Sequence, residues 1–153
     1  MSIAPPSNGE LAPIATEARR FLEGVWPEWH RLRGRPLPDP LSIGTCQTSS
    51  LFLATVLREH GFNANVAQGN DPSKYEGYFH DGRWYGHAWV TCEGWIVDIS
   101  ADQFGCPPIS IKPLDDPSYR TGHDTAYESA KRQRQTLANA AFESWRSTRS
   151  ALS

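Results

Sequence analysis

The chain has 153 residues, 39% of them hydrophobic, with six tryptophans and a formal charge of −2. This is enough material for one buried core and too apolar for an intrinsically disordered chain. The near-neutral balance removes bulk electrostatics as a reason to expect nucleic acid as a main partner. Three cysteines are too few for a disulfide-stapled miniprotein, and their odd number leaves at least one thiol unpaired within the chain.

Residues 1–15 carry Pro5, Pro6, Gly9 and Pro13 and lack the basic start and apolar run of a secretory signal. They read as a flexible arm, followed by a single domain over 16–153. No segment approaches the roughly 20 apolar residues that cross a bilayer. The expected setting is cytoplasmic and reducing, with leaderless delivery as an effector also compatible, and no membrane partner is expected. Thr16 is placed to cap a first helix with Ala18, Phe21, Leu22, Val25 and Trp29 on its apolar face, split or kinked at Pro27. Pro36, Pro38 and Pro40 then impose an extended connector. Residues 46–60 form the strongest apolar run, closed by Gly61, and predict a central buried helix. Strand candidates follow at 62–67, 78–80, 83–92 and 95–100, with turn signals at Asp81 and Gly82 and at Glu93 and Gly94. Residues 105–117 are proline-rich, with a short strand possible around Ser110. A tail helix has Thr125 and Glu128 at capping-box spacing. Its apolar face is Tyr127, Ala130, Leu137, Ala141, Phe142 and Trp145, broken once by Arg134, with a basic outer face.

Cys46 sits where the connector meets the buried helix. With Thr45 as N-cap, the sulfur lies at the positive end of the helix dipole, which favours thiolate. His87 lies in a strand-like run that a turn joins to Asp98. A two-residue turn at Glu93 and Gly94 places His87 and Asp98 diagonally on one face, and one at Cys92 and Glu93 places them directly opposite. A three-residue turn separates them. On one face, Asp98 can orient His87 and His87 can activate Cys46, as acyl transfer through a thiol requires. Cys92 falls on the other face as a core residue. Cys106 is a loop thiol. Trp84, Trp89 and Trp95 are either plain core aromatics or walls of a substrate groove, and Gly86 leaves room beside His87. The Cys and His spacings fit no metal site, and no nucleotide or calcium motif is present, so neither metal nor cofactor is expected.

Gly44, Thr45 and Cys46 opening a helix, the following LFLATVLREHGFNANV, then GHAWV and GWIVDIS, resemble the transglutaminase-like branch of papain-like cysteine enzymes. That branch includes bacterial peptidases, the leader-cleaving proteins of lasso-peptide maturation, amidases, deamidases and transglutaminases. The resemblance spans about residues 44–100. It implies an α+β fold with the cysteine helix packed on a small antiparallel sheet, flanked here by extra N- and C-terminal helices. It also implies Cys46 as nucleophile, His87 as general base and acid, and Asp98 as orienter. The chemistry expected is cysteine-dependent hydrolysis of a peptide bond or glutamine amide in a peptide or protein. Glutamine deamidation or transamidation, or peptide binding without catalysis, is the alternative. Gln47 stands where many relatives have an aromatic residue. No upstream glutamine fills the papain-like oxyanion position, which leaves the Cys46 N–H, with Gln47 or Gln103 as the candidate second donor. The extra domains of large animal transglutaminases are absent, and nothing in the sequence bears on oligomeric state.

Overall fold

A computed structural model describes residues 6–123 and 125–152. The chain starts helical earlier than its prolines predict. Helix α1 is Asn8–Glu23, with Pro13 inside it and Leu11, Ala15, Ala18 and Leu22 buried. Burying Leu11 extends the apolar face forward past Pro13, whose ring stays exposed on the solvent side. Thr16 is therefore not a cap: its hydroxyl donates back to the Ala12 carbonyl at 2.7 Å within the helix. The preceding residue Pro6 is held by the Trp95 indole N–H, at 2.8 Å to its carbonyl. Pro27 does split the predicted helix, standing in the first turn of α2, Trp26–Leu32, where its missing N–H costs nothing.

Helix α3, Cys46–Glu59, is buried around most of its circumference, as its composition predicts. Its buried Ser49 is paired on both sides: Trp26 Nε1 donates to Ser49 Oγ at 2.9 Å, and Ser49 Oγ donates to Thr45 Oγ1 at 3.0 Å. Four strands, β1 (Ala64–Gly69), β4 (His87–Cys92), β5 (Trp95–Asp98) and β6 (Ser110–Pro113), form an antiparallel sheet in the order β1-β4-β5-β6. A second sheet has the order β3-β2-β7, from β2 (Gly77–His80), β3 (Arg83–Tyr85) and β7 (Tyr119–Arg120). The architecture is thus α+β. Helix α3 packs on β1 and β4, with α1 and α4 (Thr125–Leu152) against it. Phe52, Leu53, Val90, Val97, Phe142 and Trp145 belong to this shared core. The Thr125–Glu128 capping box and Tyr127 depend on side chains outside the described residues.

The run 83–92, expected as one strand, breaks at Gly86. Residues before it pair in the second sheet and residues after it in the first. Close packing at the seam explains the break. Gly69 pairs with His87, and a Cβ on Gly69 would meet the backbone of Arg120 and Gly77, while one on Gly77 would meet the Tyr85 carbonyl. The two sheets can approach here only because both positions lack side chains.

A polar lock holds the turn after β5. The Arg19 guanidinium makes two 2.8 Å bonds to the Asp102 carboxylate and donates to the Ile99 carbonyl at 2.9 Å, and Ser42 Oγ donates to Asp102 at 2.6 Å. Burial pushes the Asp102 carboxyl up, but Arg19 and Ser42 outweigh it and hold the group below the ordinary carboxylate value. Asp102→Ala strands Arg19, whose side chain is only 11% exposed. Urea unfolding should show a loss of about 3 kcal/mol, and a loss below about 1 kcal/mol would mean the lock is not structural.

Candidate active site

The hairpin turn decides the site. Glu93 and Gly94 both have positive φ, 47° and 94°, and Cys92 pairs with Trp95. This is the two-residue turn whose twist suits antiparallel strands. Of the two-residue alternatives it selects the one at Glu93 and Gly94, and it places His87 and Asp98 diagonally on one face. Val90 and Val97 pair on the opposite face, towards α3.

Both members of the diagonal are 1% exposed, and His87 Nε2 donates to Asp98 Oδ2 at 2.8 Å. A carboxylate this deeply buried is tolerated because its other sites are filled. The Tyr119 hydroxyl donates to Oδ2 at 2.9 Å and the Ser100 N–H to Oδ1 at 3.1 Å. Tyr119 is a part of the site that sequence reasoning did not find. Its strand is two residues long and carries no periodic signal, so only tertiary pairing with Tyr78 brings it under Asp98. The desolvated carboxylate in turn raises the Tyr119 pKa, after burial itself, so that the hydroxyl stays a donor.

With Nε2 committed to Asp98, Nδ1 is the nitrogen left for Cys46. Cys46 is half-buried as a residue, with its thiol turned inward. Burial pushes its pKa up, but hydrogen bonding and charge from His87 and the backbone N–H of Ala88 pull harder, so the thiol lies below its ordinary value. Burial presses His87 towards its neutral form, yet the charge and hydrogen bond of Asp98, joined by Cys46, push it up to about 10. The shifts are reciprocal and describe a thiolate and imidazolium that stabilise each other. Thr45 holds the N-cap position without capping: its hydroxyl donates to the Ser42 carbonyl at 2.8 Å. With no side chain capping α3, its first-turn N–H groups remain directed at the sulfur's end of the helix.

The remaining candidates fall in different places. Gln103 Nε2 donates to the Ser100 carbonyl at 3.0 Å and lies 3.4 Å from His87 Nδ1, at the reacting edge of the ring. Gln47 follows Cys46 on α3, and its buried Oε1 has no partner among the described residues. Trp89 is buried behind His87, ring centroids 6.1 Å apart, and packs with Ile96 and Tyr119 as a core aromatic. Gly86 is exposed at the strand break, with the Asn70 side chain where a Cβ would go. Trp84 packs at a tilt against Phe79 and Trp95 binds Pro6, and neither has a ring contact with His87. Phe104 and Tyr78 instead pack around the His87 ring, at 5.0 and 5.9 Å. Cys92 lies in the core, pushed up to about 11 by burial and then by Glu93. Cys106 lies 3.2 Å from the Tyr78 hydroxyl, apart from Cys46. Among the described residues no three His, Cys, Asp or Glu side chains are grouped to hold a metal ion, and no helix is long and apolar enough to cross a membrane.

Removing the charge of Asp98 should leave the desolvation of His87 unopposed by its main partner. In Asp98→Asn the imidazole midpoint, followed by NMR, should fall from about 10 towards the ordinary 6.5. A midpoint still near 10 would exclude Asp98 as the source of the shift. Comparison with protein-family models, with curated proteins and with solved structures gives no match to this chain.

Proposed function

We propose that the protein is a cysteine-dependent hydrolase of peptide or glutamine amides, built on a papain-like core of the transglutaminase-like kind. The observation that carries this reading is the buried 2.8 Å bond from His87 to Asp98, aimed at a thiol whose pKa is lowered at a helix N-terminus. Structural histidines do not require a buried carboxylate on one nitrogen and a helix-end thiol on the other, whereas acyl transfer does.

In the proposed reaction the Cys46 thiolate attacks the amide carbonyl carbon, and electrons move onto the oxygen, which the Cys46 backbone N–H stabilises. Gln103 stands near enough to the reacting edge to assist as a second donor once its amide turns from Ser100. His87 Nδ1–H protonates the departing nitrogen as the C–N bond breaks, leaving a thioester. His87, now neutral, takes a proton from water, the resulting hydroxide attacks the thioester carbonyl, and the C–S bond breaks to release the carboxylic acid and restore the Cys46 thiolate beside the protonated His87. Asp98 remains ionised throughout and keeps Nε2 protonated, so that the free nitrogen always faces sulfur. An amine in place of water at the second step gives transamidation from the same intermediate.

Iodoacetamide reads the nucleophile without a known substrate. At pH 6 Cys46 should label at least about tenfold faster than Cys92 or Cys106, and lose that advantage in His87→Ala. Labelling of Cys46 should weaken as pH falls through its depressed pKa, because the thiolate is then protonated. Turnover should also decline above about 10, where His87 loses the proton it must donate. Mass spectrometry of peptide mixtures, with Cys46→Ala as the blank, then distinguishes cleavage, deamidation and crosslinking, and that variant should lose activity by about a thousandfold or more. Equal, slow labelling of all three thiols would overturn the assignment.

A further inference from the structure

Beside the nucleophile lies a cavity of about 410 Å³ between α2, the start of α3 and α4, lined in part by Trp29, Leu32, Arg33, Thr45, Arg134 and Leu137. Gly44 and Thr45, the two residues before Cys46, form its inner edge. Its walls mix apolar side chains with threonines and Gln133, and its charged members, Arg33 and Arg134, are of one sign.

Arg33 donates to the Gly44 carbonyl at 3.1 Å. Arg35 lies over Gly44, with Nη1 2.8 Å from where a Cβ would stand, a position glycine leaves open while also adopting a φ of +77°. Arg134, which interrupts the apolar face of α4, enters from the other side. No ion pair engages any of the three among the described residues. Arg33 is disfavoured in its charged form by burial and then by Arg35 and Arg134, and is favoured by Cys46, so the cluster and the thiolate share one field. Like charges gathered without a counter-charge are unexpected in a chain of net charge −2.

His30, which lines the cavity, is 1% exposed, and its Nε2 donates to the Leu41 carbonyl at 2.8 Å, which fixes this wall to the connector before Cys46. A carboxylate-bearing side chain of a peptide supplies the counter-charge that the guanidinium forks lack. Leu32, 55% exposed, and Leu37, 61% exposed, extend the apolar surface along the connector.

We propose that this cavity is the specificity subsite of the enzyme and that it takes an acidic side chain, glutamate or aspartate, of a peptide substrate close to the amide at Cys46. The proposal rests on the hydrolase reading for its purpose, but its test does not need turnover.

In the full-length Cys46→Ala protein, acetyl-Leu-Glu-Leu-Glu-amide should bind about tenfold more tightly than acetyl-Leu-Gln-Leu-Gln-amide by calorimetry, with the difference shrinking as salt is raised. Adding Arg33→Gln and Arg134→Gln should bring the two peptides within about twofold. Unchanged unfolding of the triple variant would show that it still folds, since these arginines make no ion pair among the described residues. Equal binding of the two peptides, or a Glu preference that survives loss of both arginines, would overturn the subsite. Either result leaves the alkylation test of Cys46 standing, and failure of that test leaves this one readable.

Discussion

The bond between His87 and Asp98 carries more of this structure than its single hydrogen bond suggests. Placing an ionised carboxylate where water does not reach costs several kcal/mol, and a partner on one oxygen does not offset it. Asp98 is held by three donors that come from three different parts of the chain: His87 at the start of β4, Ser100 just past β5, and Tyr119 in the two-residue strand β7. Each donor is therefore also a constraint on topology. The second sheet holds β7 beside β2, and that pairing brings Tyr119 to the carboxylate. Orientation of His87 and tertiary closure are thus the same set of contacts.

The same economy appears in the backbone. His87 can be the first residue of β4 and lie at the seam of two sheets only where the chain approaches itself more closely than side chains permit. Gly69 and Gly77 provide that approach. On the opposite side, Arg19 fastens α1 to Asp102, and Ser42, from the connector just before Cys46, completes the carboxylate. The turn bearing Gln103 and Phe104 is in this way tied to the segment that leads into Cys46. A thiol at a helix end and an imidazole on a strand come from elements that share no local interaction, so their distance is set by such cross-links.

Much of this was legible in the sequence because it depends on short-range patterning. The apolar run from Leu51 to Leu57 and the closing Gly61 define α3 to within a residue, and the turn signals at Glu93 and Gly94 reduce the face shared by His87 and Asp98 to a question of turn length, which only the pairing of Cys92 with Trp95 answers. The features that escaped share a different cause. The prolines of residues 1–15 read as a flexible arm, yet burying Leu11 on the core outweighs the hydrogen bond lost at Pro13, and propensity yields to packing. Gly86 reads as a strand residue with space beside it, and becomes a strand break because of where Asn70 and the second sheet stand. Tyr119 has no local signal at all. Trp89 satisfies the pattern of a groove wall and of a core residue equally, and only its packing with Ile96 and Tyr119 separates them.

The three thiols show how the fold sorts one chemistry into three states. Cys92 is enclosed by apolar neighbours with Glu93 nearby, so both desolvation and charge favour its neutral form. Cys106 meets the hydroxyl of Tyr78 and the ring of His80. Cys46 alone combines a helix N-terminus, an imidazolium and the more distant Arg33. These contributions differ in how they respond to an occupant. The helix end and His87 are built into the fold, whereas Arg33 is exposed and its charge can be taken up by an anion. A carboxylate bound there would withdraw part of the field that favours the thiolate and shift the burden onto His87. The strong coupling of His87 to Asp98 is what such a site requires, because it keeps the imidazolium charged when the outer cation is engaged.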